Sequence, residues 1–133
     1  MLEVTFIDPP RDTNEQIAFG YSLAFALVEG AATVLEVPSN DLNASVVRDQ
    51  DGETVIVIYD DVPGGAGLVA ALEDRSVFHK ALNSAHQRVD GRCGCDESTS
   101  CYACLRSYRN QFIHPELARG PVKEYLARAL ARW

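Results

Sequence analysis

Positive charge is scarce in this chain: 12 lysine and arginine residues face 19 aspartate and glutamate residues, for a formal net charge of -7 over 133 residues. That balance opposes tight nucleic-acid binding by the isolated chain, because non-specific affinity comes from cations that displace counterions from phosphate. Long apolar runs are missing as well. None reaches the roughly 18 residues that span a bilayer. Met1 leads into Leu2-Glu3 rather than into a basic segment and an apolar stretch. A cytoplasmic chain with no membrane partner is the expectation. No internal repeat and no low-complexity linker interrupts the sequence, so residues 1–133 are expected to form one domain.

Signatures of several chemistries are absent too. No Walker-type motif occurs, and the glycine-rich stretch Pro63-Gly64-Gly65-Ala66-Gly67 lacks the lysine that would reach a phosphate. A tight turn with close helix approach suits it better. No motif sets a serine or cysteine nucleophile beside a base, so hydrolase chemistry has no support. Asp60 and Asp61 are neighbours in a predicted strand and point to opposite faces, which disfavours a shared catalytic or hard-cation site.

Ordinary globular proportions are what remain, 47% hydrophobic and 23% charged. Thr13-Asn14-Glu15-Gln16 has capping-box form and predicts a helix over about 14–29 with Gly30 as its stop. Its buried stripe would be Ile17, Tyr21, Ala24, Leu27 and Val28. Before it, Pro9-Pro10 end an extended start. After it, residues 33–37 read as a strand, and residues 45–48 turn through Asp51-Gly52 into a second strand over 54–59. The run Val55-Ile56-Val57-Ile58 does not alternate and predicts cover on both faces.

A short helix would then carry Leu68, Val69 and Leu72, and Ser76 would cap another whose inner face is Phe78, Ala81, Leu82, Ala85 and Val89. Pro115 suits a first helical position, and Pro121 suits a restart after Gly120. The last helix would turn Val122, Tyr125, Leu126, Ala129, Leu130 and Trp133 to the core. The fold class is α+β: a small β-sheet packed by several helices, with a zinc-tied C-terminal loop.

The zinc expectation comes from the four cysteines, Cys93-x-Cys95-x5-Cys101-x2-Cys104. The loop between the pairs, Asp96 to Ser100, has almost nothing to bury. Four thiolates around Zn²⁺ give it a reason to be ordered. Binding energies of about 10–16 kcal/mol for structural zinc rival a whole domain's stability. The formal charge would then become -9, from -7 - 4 + 2. Disulfides, a Cys101-x-x-Cys104 redox pair and an iron–sulfur cluster are the competing readings. Just past the cysteines, Arg106 and Arg109 with Asn110, Gln111, Tyr102 and Tyr108 suggest either packing around the metal loop or a local nucleic-acid contact, to which Arg92 would add charge. Asp60 or Asp61 is expected to pair with Arg106 or Arg109.

Taken together, Ser22-Leu23-Ala24-Phe25-Ala26-Leu27, Tyr59-Asp60-Asp61-Val62-Pro63-Gly64-Gly65-Ala66-Gly67, the four cysteines, and Cys104-Leu105-Arg106-Ser107-Tyr108-Arg109-Asn110-Gln111 followed by His114 resemble a known domain. It is the zinc-binding domain at the C-terminus of DEAD/DEAH-box repair helicases related to the bacterial mitomycin-repair helicase, found also in helicase-associated anti-phage proteins. The resemblance covers about residues 15–130. It implies zinc on Cys93, Cys95, Cys101 and Cys104, helicase motor domains as partners in cis or in trans, and DNA contact only within such a complex. Together with the closed metal site and the missing catalytic constellation, it makes the expected chain an accessory module rather than an enzyme. The alternatives are an autonomous DNA-binding module and a metal-dependent nuclease using Asp60 or Asp61 with a histidine.

Overall fold

A computed structural model describes residues 2–5, 13–62 and 67–133; Pro9, Pro10, Pro63, Gly64, Gly65 and Ala66, and the readings attached to them, lie outside the described residues. The side chains of Thr13 and Asn14 are also outside, which leaves the expected capping box without a geometry.

The elements run β1 (Leu2–Thr5), α1 (Thr13–Leu35), β2 (Leu42–Arg48), β3 (Thr54–Asp60), α2 (Leu68–Leu72), α3 (Arg75–Val89), a 3₁₀ segment (Tyr108–Glu116) and α4 (Arg119–Ala131). Among the described residues the sheet is antiparallel, in the order β1-β3-β2. The register sets Leu2 and Ala44 beside Ile58, and Val4 and Val46 beside Ile56, so these apolar side chains share one face. On the opposite face Val55 is buried, Val57 half-buried and Val47 exposed. The unbroken apolar run of β3 therefore marks a central strand rather than equal cover on both sides.

Helix α1 is the middle layer, with the sheet on one flank and α3 and α4 on the other. Every residue from Ser22 to Val28 is buried, as that position requires. Residues 15–35 are long and apolar enough to cross a membrane by length and composition, but 67% of the qualifying window is buried in the fold, as in a core helix. Ile17, expected inside, is 37% exposed at the open end of the helix.

Two expectations about the end of α1 are corrected together. The helix runs through Gly30 to Leu35, and residues 33–35, expected in a strand, are its last turn. Gly30 is no stop: a Cβ there would lie 2.5 Å from the Ala81 carbonyl oxygen and 2.7 Å from the Ala85 nitrogen, so glycine lets α1 and α3 touch backbone to backbone. The helix ends instead at Glu36, whose φ of 58° is left-handed. The Glu36 N–H donates to the Thr33 carbonyl (3.3 Å) and the Val37 N–H to the Ala32 carbonyl (3.1 Å), the pair of bonds that closes a Schellman motif.

The β2–β3 hairpin turns as expected at Asp51-Gly52, where the Asp49 carboxylate accepts from the Asp51 and Glu53 N–H groups at 2.9 Å each. Ser76 does not cap α3; Asp74 does, accepting from the N–H groups of Ser76 (2.9 Å) and Val77 (3.2 Å). These bonds, that from the Ser76 hydroxyl foremost, hold the Asp74 carboxyl below the usual aspartate range. Pro115 lies inside the 3₁₀ segment rather than opening an α-helix, and Trp133 is 41% exposed rather than in the core. Its ring stacks on His79 (5.1 Å between centroids) under the Arg75 guanidinium (4.6 Å).

Candidate metal centre

The cysteine loop leaves the end of α3 at buried Val89 and needs two sharp reversals, at Gly91 (φ 111°) and Gly94 (φ 83°), which flank Cys93 and which β-carbon sterics reserve for glycine. Asp96 shapes the next bend by accepting from the Ser98 N–H and hydroxyl at 2.9 Å each. After Cys101 the chain coils tightly, so that the Cys101 carbonyl takes the N–H groups of Cys104, Leu105 and Arg106 at 3.0–3.1 Å.

The four sulfurs all lie within 4.8 Å of one another. Cys93 and Cys95 are 3.4 Å apart, Cys95 and Cys104 3.9 Å, and Cys101 and Cys104 3.8 Å. Zn–S bonds of about 2.3 Å in a tetrahedron require S···S separations of about 3.8 Å. Disulfides require about 2.05 Å, and all four cysteines are free. The donor set thus fits a closed four-thiolate zinc site, with Cys104 buried and its three partners half-buried.

Electrostatics lead to the same chemistry. Burial pushes the Cys104 thiol up to about 12 and raises Cys95; for Cys93, burial is outweighed by hydrogen bonds from the Cys95 backbone and neighbouring thiols, which bring it down to about 7. Four anions cannot share this space without a cation, and a divalent ion supplies the missing charge.

Arginines hold the loop from outside. Arg88 Nε donates to the Cys104 carbonyl (2.6 Å), and Arg106 donates to the hydroxyls of Ser100 (2.9 Å) and Thr99 (3.4 Å). Arg119, buried, donates through Nε and Nη2 to the Cys95 carbonyl and through Nη1 to that of Val89 (3.3 Å). Sequence reasoning missed Arg119, which stands fifteen positions beyond the last cysteine. Its one trace is Ala118, a poor cap at the start of a helix, which signals that the helix is capped by something else.

The segment after the cysteines is a polar knot. Asn110 is buried, accepts from the Ser107 N–H (2.7 Å) and donates to the Leu105 carbonyl (2.8 Å). His114 Nε2–H is shared between the Ser107 carbonyl (2.9 Å) and Asn110 Oδ1 (2.8 Å). Gln111 is exposed.

The expected carboxylate–arginine pair does not form among the described residues. Asp60 instead accepts from the N–H groups of Gly67 (3.0 Å) and Val69 (2.9 Å), fixing the start of α2, while Asp61 is exposed. Arg109 donates to the Leu42 carbonyl, and Leu42 stands opposite Asp60 in the sheet, so the two segments are joined through β2 rather than by charge. Of the candidate DNA contacts, Arg106 and Arg109 are thus occupied inside the fold. Arg92 is exposed and paired with Asp90 (3.0 Å), Tyr102 is 61% exposed against His114, and Tyr108 is 84% exposed.

Residues 23–105, more than half of the chain and all four cysteines, match the family model described as the MrfA Zn-binding domain. The chain belongs to this family. A solved structure titled "Crystal Structure of DUF1998 helicase MrfA bound to DNA" shares the fold of the MrfA Zn-binding domain seen here, with a TM-score of 0.64 at 20% identity. The match covers 98% of this chain and 16% of the helicase chain. No curated protein matches at a significant level. A family described by the metal it binds, and a sulfur cage with the spacing of tetrahedral zinc, together make this a zinc-binding domain.

Proposed function

We propose that Cys93, Cys95, Cys101 and Cys104 hold one structural zinc ion, and that the chain is the non-catalytic accessory module of an MrfA-type helicase, supporting the motor in cis or in trans. The observation that carries the reading is the sulfur geometry, which matches a closed tetrahedral site and leaves no ligand position for substrate or water. Thiolate ligation suits a reducing compartment, and the reading puts the chain in the cytoplasm.

DNA contact belongs to the assembled helicase in this reading. The net charge of -7 works against the isolated domain, and two of the five candidate contact residues spend their donors on the fold. A nuclease centred on Asp60 is disfavoured, since both oxygens of that carboxylate accept backbone N–H groups.

Metal analysis of protein purified without chelator should return about one zinc per chain, and stripping it should cost residues 90–115 their cooperative melt and their resistance to proteolysis. The isolated chain and the chain joined to its motor should be compared at one salt concentration. Weak DNA binding alone and a gain in unwinding when joined are expected. A metal-free chain with an unchanged melt sinks the zinc assignment; tight salt-sensitive binding by the isolated chain favours an autonomous DNA-binding module; and cleavage lost on Asp60→Asn substitution favours a nuclease.

A further inference from the structure

Every α-helix leaves its first N–H groups without partners inside the helix, and a side chain at the N-cap normally takes one of them. Helix α4 begins after Ala118, which has no side chain able to do so. Its first two N–H groups are nevertheless satisfied: Arg119 N–H donates to the Thr99 carbonyl (3.0 Å) and Gly120 N–H to the Glu97 carbonyl (2.9 Å). Both acceptors belong to the loop between the cysteine pairs. The Arg119 side chain completes the contact from the other direction, reaching the carbonyls of Cys95 and Val89. Gly120 makes the approach feasible, because a Cβ there would sit 2.8 Å from both the Cβ and the carbonyl oxygen of Glu97.

We infer that the zinc loop is the N-terminal cap of α4, and that Arg119 and Gly120 are positioning residues through which metal binding and the seating of that helix are coupled. This rests on the zinc reading above. The physical basis is reciprocal. Without metal, the polar loop has no reason to hold the Glu97 and Thr99 carbonyls in place, and the start of α4 loses its acceptors. Without the Arg119 fork, the Cys95 carbonyl loses two donors, and a doubly negative Zn(Cys)₄ unit loses its nearest buried cation.

Gly120→Ala separates this coupling from ordinary helix stability. Alanine is the better helix former, so propensity alone predicts a more stable α4. The coupling predicts the reverse, because the new methyl group displaces Glu97. Chelator competition at fixed pH should show zinc affinity falling about 10- to 100-fold for Gly120→Ala and Arg119→Met, with Arg119→Lys between these and wild type. Lys123→Ala, which removes only the exposed Lys123–Glu97 pair (3.2 Å), should leave affinity unchanged. A residue that stabilised only the part of the fold that persists without metal, such as the α1–α3 packing, would weaken metal-free and metal-bound forms alike and leave affinity where it was. Hydrogen exchange on the wild-type chain gives a second readout: stripping zinc should deprotect the amides of Arg119, Gly120, Val122 and Lys123 while those of α3 stay protected. One zinc bound by wild type, with Gly120→Ala and Arg119→Met within twofold of it, overturns the coupling and leaves the zinc site standing. So does unchanged protection of the amides of Arg119, Gly120, Val122 and Lys123. A wild-type chain that takes up no zinc overturns both.

Discussion

At the residue scale, small side chains carry more of the structure than their chemistry suggests. Gly30 is the clearest case, since its sequence context, after an amphipathic run, reads as a helix stop. The contact that explains it comes from α3, fifty residues away, and nothing local records it. Gly30→Ala should destabilise the chain by about 1–3 kcal/mol, measured by denaturant unfolding, because overpacking against the α3 backbone outweighs the roughly 1 kcal/mol gained in helix propensity. A stabilised variant would mean that the two helices can separate freely. The cysteines were legible for the opposite reason, because ligand identity and spacing are local properties of the chain. Arg119 was not, since a lone arginine before Gly120-Pro121 reads the same whether it faces water or a sulfur cage.

Elements were predicted best where a single local signal defined them. The β2–β3 hairpin and α3 follow Asp51-Gly52 and a clean apolar periodicity. The boundary of α1 was misplaced because Thr33-Val34-Leu35 has strand-favouring composition, yet those residues continue a helix whose packing is already set by the buried stretch 22–28. The true end is marked by Glu36, a charged residue in a conformation that costs an L-amino acid about 1–2 kcal/mol. Glu36→Gly should therefore raise stability by about 1 kcal/mol and shift the urea midpoint upward without altering its slope. A lower midpoint would show that the Glu36 side chain contributes more than its backbone strain costs.

For the whole molecule, the order of layers was readable only in part. The sequence indicated a small sheet and several helices, but not that α1 would lie between the sheet and α3–α4, because which apolar face meets which is decided by long-range contacts. Ser22 illustrates this: buried in α1, it donates to the Ala18 carbonyl (2.9 Å) and accepts the Ala118 N–H (3.1 Å), tying the residue before α4 to the middle layer. One feature at the far end of α4 makes its seating visible. Thirteen residues of helix span about 20 Å, and Trp133, the single tryptophan of the chain, follows them with its ring against Arg75 and His79 of α3. The indole is thus an optical reporter set a helix length from the ion. Chelation should alter its emission by freeing it from the imidazole and guanidinium, and restoring zinc should reverse the change, so a fluorimeter can follow the metal without any label.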